Sequence, residues 1–172
     1  RGSLDNVYSG KNHIINFDDL SDELSSYFDI WKPDIIINAI AIVSLQQCEE
    51  NYDMAINVNC NMAVDLAKIS IKYNSYFVHI STDHYYDDDL VIHNELQKVV
   101  LKNNYARTKY KAEKEVEKYN NKAIIVRTNI VGFRRKASES FFEWVLRSLK
   151  NDKTINLYTN FYTSPISVNQ LG

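Results

Sequence analysis

The stretch "KPDIIINAIA", residues 32–41, decides how the rest of the chain reads. Pro33 cannot continue a helix, and Ile35, Ile36 and Ile37 behind it are three consecutive β-branched residues. An apolar run without polar alternation predicts a strand buried on both faces, as in a parallel sheet covered by helices. Its end, Asn38-Ala39-Ile40-Ala41, carries small residues that let a ligand come close to the backbone.

Outward from this strand, apolar and amphipathic segments alternate. Upstream, residues 13–17 form a short strand candidate, and "DDLSDELSSYFDIW" reads as a capped helix. Downstream, a long helix is predicted from about Tyr52 to Tyr73, with Met54, Val58, Met62, Leu66 and Ile69 as its apolar stripe. "SYFVHIST" is a second buried strand. Residues 105–119 read as a helix with Ala112 and Val116 inward and Lys111, Lys114, Glu115 and Lys118 outward. A strand in "KAIIVRT", a helix in "SESFFEWVLRSLKND" and a last short strand in "TINLYT" follow. Buried strands separated by helices imply parallel pairing with right-handed crossovers. The expected fold is therefore α/β, a doubly wound parallel sheet in three layers, with ligands at the carboxyl ends of the strands.

Composition narrows the function classes. The 172 residues suffice for one domain with a proper core. A net charge of −2 gives no general reason to bind nucleic acid or an anionic membrane, and no apolar run reaches membrane-spanning length. A cytoplasmic protein is expected. Cys48 and Cys60 stand in core-facing stretches without a CxxC pattern, so buried free thiols are expected and no metal site.

Chemistry concentrates at two places. The strand in "SYFVHIST" ends in Ser81-Thr82-Asp83, and the helix opening at Tyr105 carries Lys109 one turn on, on the same face. A phenol with an ordinary pKa of about 10 is a poor acid–base group at neutral pH, and a nearby ammonium favours its phenolate. The same lysine can hold a ribose hydroxyl, and the Thr82 hydroxyl can orient a substrate carbonyl. Singly these are weak signals: Tyr and Lys four apart are common, and the chain has 12 tyrosines. Their combination at a strand end and a helix start carries the weight.

The blocks "KPDIIINAIAIVSLQQCEE", "INVNCNMAVDLAK", "VHISTDHYYDDD", "NNYARTKYKAE", "IIVRTNIVG" and "YTSPISVNQLG" occur in order. Together they resemble the extended short-chain dehydrogenase/reductases, most closely the dTDP-4-dehydrorhamnose reductase branch. The resemblance implies a Rossmann-like NAD(P)-binding domain over residues 1–172, with the start of a substrate-binding portion from about residue 129. It implies a catalytic Thr82, Tyr105 and Lys109. Tyr105 would protonate a keto oxygen as NAD(P)H delivers hydride, Lys109 would lower the tyrosine pKa and bind ribose, and Thr82 would place the carbonyl. On the cofactor side it implies Asn16, Asn38, Ala39, Ala41, Asn57, Ser81 and Arg127, together with Tyr105 and Lys109. The implied partner is a nucleotide-sugar substrate, with a homodimer left open.

The pattern has departures. Four glycines, Gly2, Gly10, Gly132 and Gly172, provide no Gly-rich phosphate turn. A fragment of a longer reductase is expected, in preference to a short relative that lost cofactor binding. Asn16 stands where an aspartate is usual, and His84 reads as loop surface. An epimerase or dehydratase of the same superfamily and a catalytically silent sugar-nucleotide-binding protein are the alternatives.

Overall fold

The computed structural model describes residues 20–86, 92–133, 139–159 and 163–172. The strand candidate at 13–17, and Asn16 with it, lies outside the described residues, as do Gly2 and Gly10. The described residues divide into two compact units, one up to Thr128 and the other from Asn129.

In the larger unit, helix α1 (Leu20–Trp31) leads into β1 (Ile35–Asn38). Two short helices, α2 (Leu45–Glu50) and α3 (Tyr52–Ile56), precede a π-helical turn over Asn57–Asn61 and helix α4 (Met62–Lys72). Strand β2 (Tyr76–Ile80), helix α5 (Asn104–Tyr119) and strand β3 (Ile124–Val126) complete it. The sheet is parallel in the order β1-β2-β3, with Ile35 opposite Tyr76, Asn38 opposite His79 and Val78 opposite Ile124. The chain therefore has the α/β architecture read from its alternating pattern.

The core lies on one face of this sheet. Ile36 of β1 and Phe77 of β2 pack with Met62, Leu66 and Ile69 of α4, Ala112 and Val116 of α5, and Leu24 and Phe28 of α1. Removing apolar surface from water at about 25 cal/mol per Å2 makes such a cluster the main stabilising element. Both cysteines are buried and free, as read from their context.

Three expectations are corrected. The three isoleucines are not buried on both faces: Ile36 is, whereas Ile35 and Ile37 are 57% and 65% exposed, because every packed helix residue of the core cluster meets the other face. Tyr76 and Ile124 continue that exposed face. The helix expected from 52 to 73 runs from Tyr52 to Lys72 but winds as a π-turn at its centre, and Met54 of its expected apolar stripe lies exposed. "TINLYT" forms no strand. Pro165 to Ser167 does so instead.

The smaller unit pairs β4 (Asn129–Val131) with β5 (Pro165–Ser167) in parallel. Its helices α6 (Phe141–Lys150) and α7 (Val168–Leu171) each begin with a capping box, at Ser140 with Glu143 and at Ser167 with Gln170.

Candidate functional site

Tyr105, Lys109 and Thr82 come together at the carboxyl end of β2. Asn103 caps α5 by accepting from the Ala106 amide, which places Tyr105 in the first turn. The helix start is tied to α2: the Asn104 amide donates to Glu49 Oε1 at 2.7 Å. The Tyr105 ring packs in a small apolar cluster with Cys48, Ala55 and Ile42. Thr82 lies beside its phenol, and the Thr82 Oγ1 accepts from the His84 amide at 3.2 Å. Burial raises the phenol above its ordinary value, and the Thr82 hydroxyl works in the opposite direction.

Lys109, one turn further along α5, is 1% exposed. Its Nζ donates to the Ile80 carbonyl at 2.7 Å and lies 3.3 Å from His79 Nε2. Burial brings its pKa down to about 8, while Glu113 on the next turn pulls it up. Burial dominates at Tyr105, and the lysine nitrogen is committed to the end of β2. Proximity on one helix face was legible, but the direction of the ammonium was not.

The remaining predicted residues separate. Asn38 is buried and fully engaged: its Oδ1 accepts from the Ile40 amide at 3.0 Å and its Nδ2 meets His79 Nδ1 at 3.0 Å. Ala39 is exposed and Ala41 half-buried at the end of β1. The Ser81 hydroxyl donates to Glu113 Oε1 at 2.5 Å and is also bonded to the Tyr85 hydroxyl at 3.0 Å. Arg127 forms a part-buried ion pair with Glu113, its Nη2 at 2.7 Å from Oε2, and its Nη1 donates to the Tyr86 hydroxyl at 3.0 Å. Ser81 and Arg127 thus meet in one internal network around Glu113, not around Tyr105. A cleft of about 520 Å3 lined by Tyr86, His93, Glu113 and Arg127, among others, lies beside that network, and none of Thr82, Tyr105 and Lys109 lines it.

Asn57 is exposed and bonded to Asn61 at 3.3 Å. The buried amide of the π-turn is Asn59. Its Oδ1 accepts from the Ile42 amide at 2.7 Å, and its Nδ2 reaches the Ile42 carbonyl at 3.2 Å and Thr108 Oγ1 at 3.0 Å. It ties the segment after β1 to the helix of Tyr105 and Lys109. One other residue was missed by sequence reasoning. His79 was read only as strand, although a histidine inside an apolar run is a signal in itself. His84, read as loop surface, is exposed in a turn as expected, and its ring stands edge-on to Tyr105 at 6.0 Å.

Among the described residues no cluster of His, Cys, Asp and Glu could hold a metal ion, and no helix is long and apolar enough to cross a membrane.

Known proteins match this chain along most of its length. The family profile described as RmlD substrate binding domain covers residues 3–172. A probable low-salt glycan biosynthesis reductase of Haloferax volcanii is 28% identical over 157 residues, 89% of this chain and 52% of the relative. The dTDP-4-dehydrorhamnose reductase of Bacillus anthracis, solved in complex with NADP, superposes with a TM-score of 0.78 at 27% identity, over 88% of this chain and 54% of that one. A hypothetical dTDP-4-dehydrorhamnose reductase of Sulfolobus tokodaii gives a TM-score of 0.77 at 26% identity, over 95% of this chain and 58% of that one. The chain thus spans about half the length of these relatives.

Proposed function

The chain belongs to the RmlD substrate-binding-domain family, and on that premise we propose that it carries the reacting groups of an NAD(P)H-dependent reductase of a 4-keto nucleotide sugar. The observation that carries the reading is the buried Tyr105 with Thr82 beside its phenol and Lys109 one turn along, gathered at the carboxyl end of β2. That is where a parallel α/β sheet offers its ligand crevice. The NADP bound in the Bacillus anthracis relative supports a nicotinamide dinucleotide as the cofactor class.

The residues present fit such a cofactor in part. Exposed Ala39, with only a methyl side chain, leaves the backbone at the end of β1 approachable. Lys109 as an ammonium would have donors for a ribose hydroxyl beyond the one spent on Ile80. The side chains of Asn38, Ser81 and Arg127 are held by protein partners, so their contribution would be to shape the site. When bound, the nicotinamide would supply the hydride.

The chain's own groups would handle the proton. Burial keeps the Tyr105 phenol protonated at neutral pH, which is the form a general acid requires. As the keto carbon becomes tetrahedral, its oxygen gains charge and takes the phenolic proton. Thr82, beside the same phenol, would donate to that oxygen and keep it in line. A charged Lys109 would then stabilise the phenolate left behind. Cytoplasmic sugar-nucleotide chemistry feeding glycan synthesis would be the setting, in keeping with the glycan biosynthesis named for the Haloferax relative.

The test is NADPH or NADH consumption by the full-length protein with a dTDP-4-keto-6-deoxy sugar, alongside direct cofactor titration. Binding with turnover is expected. Failure to bind either cofactor would overturn the reductase reading in favour of a silent binding protein.

A further inference from the structure

The hydrogen bonds behind Lys109 leave little freedom in where protons can sit. The Ile40 N–H is a donor and nothing else, so the Asn38 oxygen must face it, at 3.0 Å. The amide orientation of Asn38 is thereby set, and its Nδ2 can only donate to His79 Nδ1, 3.0 Å away. Nδ1 therefore carries no proton. A neutral imidazole has one, which must reside on Nε2, and Nε2 faces Lys109 Nζ at 3.3 Å. An ammonium has no lone pair with which to accept that N–H. An amine has one, and still donates to the Ile80 carbonyl at 2.7 Å.

We propose that His79 is a positioning residue for Lys109, donating its Nε2–H to the lysine nitrogen and so coupling the lysine's proton to the tautomer of a buried imidazole. The proposal rests on the reading of Lys109 as the partner of Tyr105. The chain Ile40 N–H, Asn38, His79, Lys109, Ile80 C=O is unbroken only when the lysine is an amine. Protonating Lys109 requires the imidazole to move its proton to Nδ1 and the Asn38 amide to turn over, breaking its bond to Ile40, or else costs the His79–Lys109 contact. A double protonation of the ring is disfavoured, since burial and the neighbouring lysine push His79 down to about 3. The other groups facing Lys109 are Glu113 on its own helix and Cys60 on the π-turn, and both favour the ammonium. His79 is thus the neighbour that favours the amine. Its fully buried position between Phe77, ring centroids 6.5 Å apart, and Lys109 leaves the ring few alternatives.

The consequence is a lysine that gives up its proton more readily than an ordinary one until something compensates the end of β2. A ligand hydroxyl accepting from the ammonium would do so, and would bring the charge towards Tyr105 as the ligand arrives.

Nuclear magnetic resonance of the unliganded protein, with 15N in histidine and 13C at lysine Cε, tests this without any turnover. At pH 9 the His79 Nδ1 should resonate as a pyridine-like nitrogen and Nε2 as a pyrrole-like one. On lowering the pH, both should shift with the same midpoint as the Lys109 Cε. His79→Gln, whose amide can offer an oxygen to the ammonium, should raise the Lys109 midpoint by one pH unit or more. A proton on Nδ1 at pH 9, or a Lys109 midpoint that ignores His79→Gln, would overturn the proposal. If the variant fails to fold, the wild-type tautomer alone decides. The outcome is separate from the reductase reading, which stands or falls on cofactor binding and turnover.

Discussion

Asn59 Nδ2 lies 3.0 Å from Thr108 Oγ1, while the same side chain holds both the amide and the carbonyl of Ile42. One fully buried amide thus joins the segment leaving β1 to the helix of Tyr105 and Lys109. It occupies a π-turn, where one extra residue per turn redirects the side chain inward. Asn59→Leu would leave Ile42 and Thr108 without this partner in a dry environment. A loss of about 2–4 kcal/mol is expected from the unpaired groups, read by urea denaturation. Asn57→Leu, at the exposed position two residues earlier, should cost under about 0.5 kcal/mol.

Lys109 makes stability depend on alkaline pH. Its folded pKa of about 8 lies below the ordinary 10.5, so between those values the unfolded chain binds a proton that the folded chain has released. Stability contributed by this group should rise with pH across that window, by an amount on the order of 3 kcal/mol for the full shift. Urea titrations from pH 7.5 to 10.5 should show the rise in the wild type and lose it in Lys109→Met. A parallel slope in both proteins would show that the lysine is not desolvated.

The Glu113–Arg127 pair is central to a second network. Glu113 is 1% exposed; its Oε1 accepts from Ser81 and its Oε2 from both Nε and Nη2 of Arg127. Glu113→Leu would strand the guanidinium and the Ser81 hydroxyl, with an expected cost of about 3 kcal/mol. Adding Arg127→Met should recover a substantial part of that loss. Equal instability of the single and double variants would mean that the pair is not coupled.

The sheet face bearing Ile35, Ile37, Tyr76 and Ile124 is apolar and exposed. Contiguous apolar surface of this kind drives association. The 172-residue chain should self-associate at micromolar concentration in sedimentation velocity, and Ile37→Lys with Tyr76→Lys should shift it towards monomer. A monodisperse wild-type chain would contradict this.

Much of this organisation was readable from residue order. Alternation of apolar runs and helical stripes gave the parallel sheet, and Tyr105 and Lys109 at one-turn spacing had to share a helix face. What stayed hidden was of two kinds. Burial on the second face of β1 depends on what covers the sheet, and an isoleucine run reads the same with one covered face or two. Likewise, hydrogen-bond partners far apart in sequence leave no local trace. Asn59 and Thr108 are 49 residues apart, and Asn38 and His79 are 41 apart. The choice between Asn57 and Asn59 turned on a π-turn that no 3.6-residue periodicity reveals. The engagement of Arg127 by Glu113 was equally invisible: the resemblance implied Arg127 for the cofactor side, and its partner lies 14 residues away with no local signal.

The central claim is that Tyr105 is the proton donor of a nicotinamide-dependent keto-sugar reductase. The most direct measurement compares wild type and Tyr105→Phe in the full-length protein, with kcat from NADPH oxidation and NADPH affinity from fluorescence titration. The account predicts a fall in kcat of about 100- to 10,000-fold with cofactor affinity changed by less than about threefold. Turnover at an undiminished rate in Tyr105→Phe would contradict it.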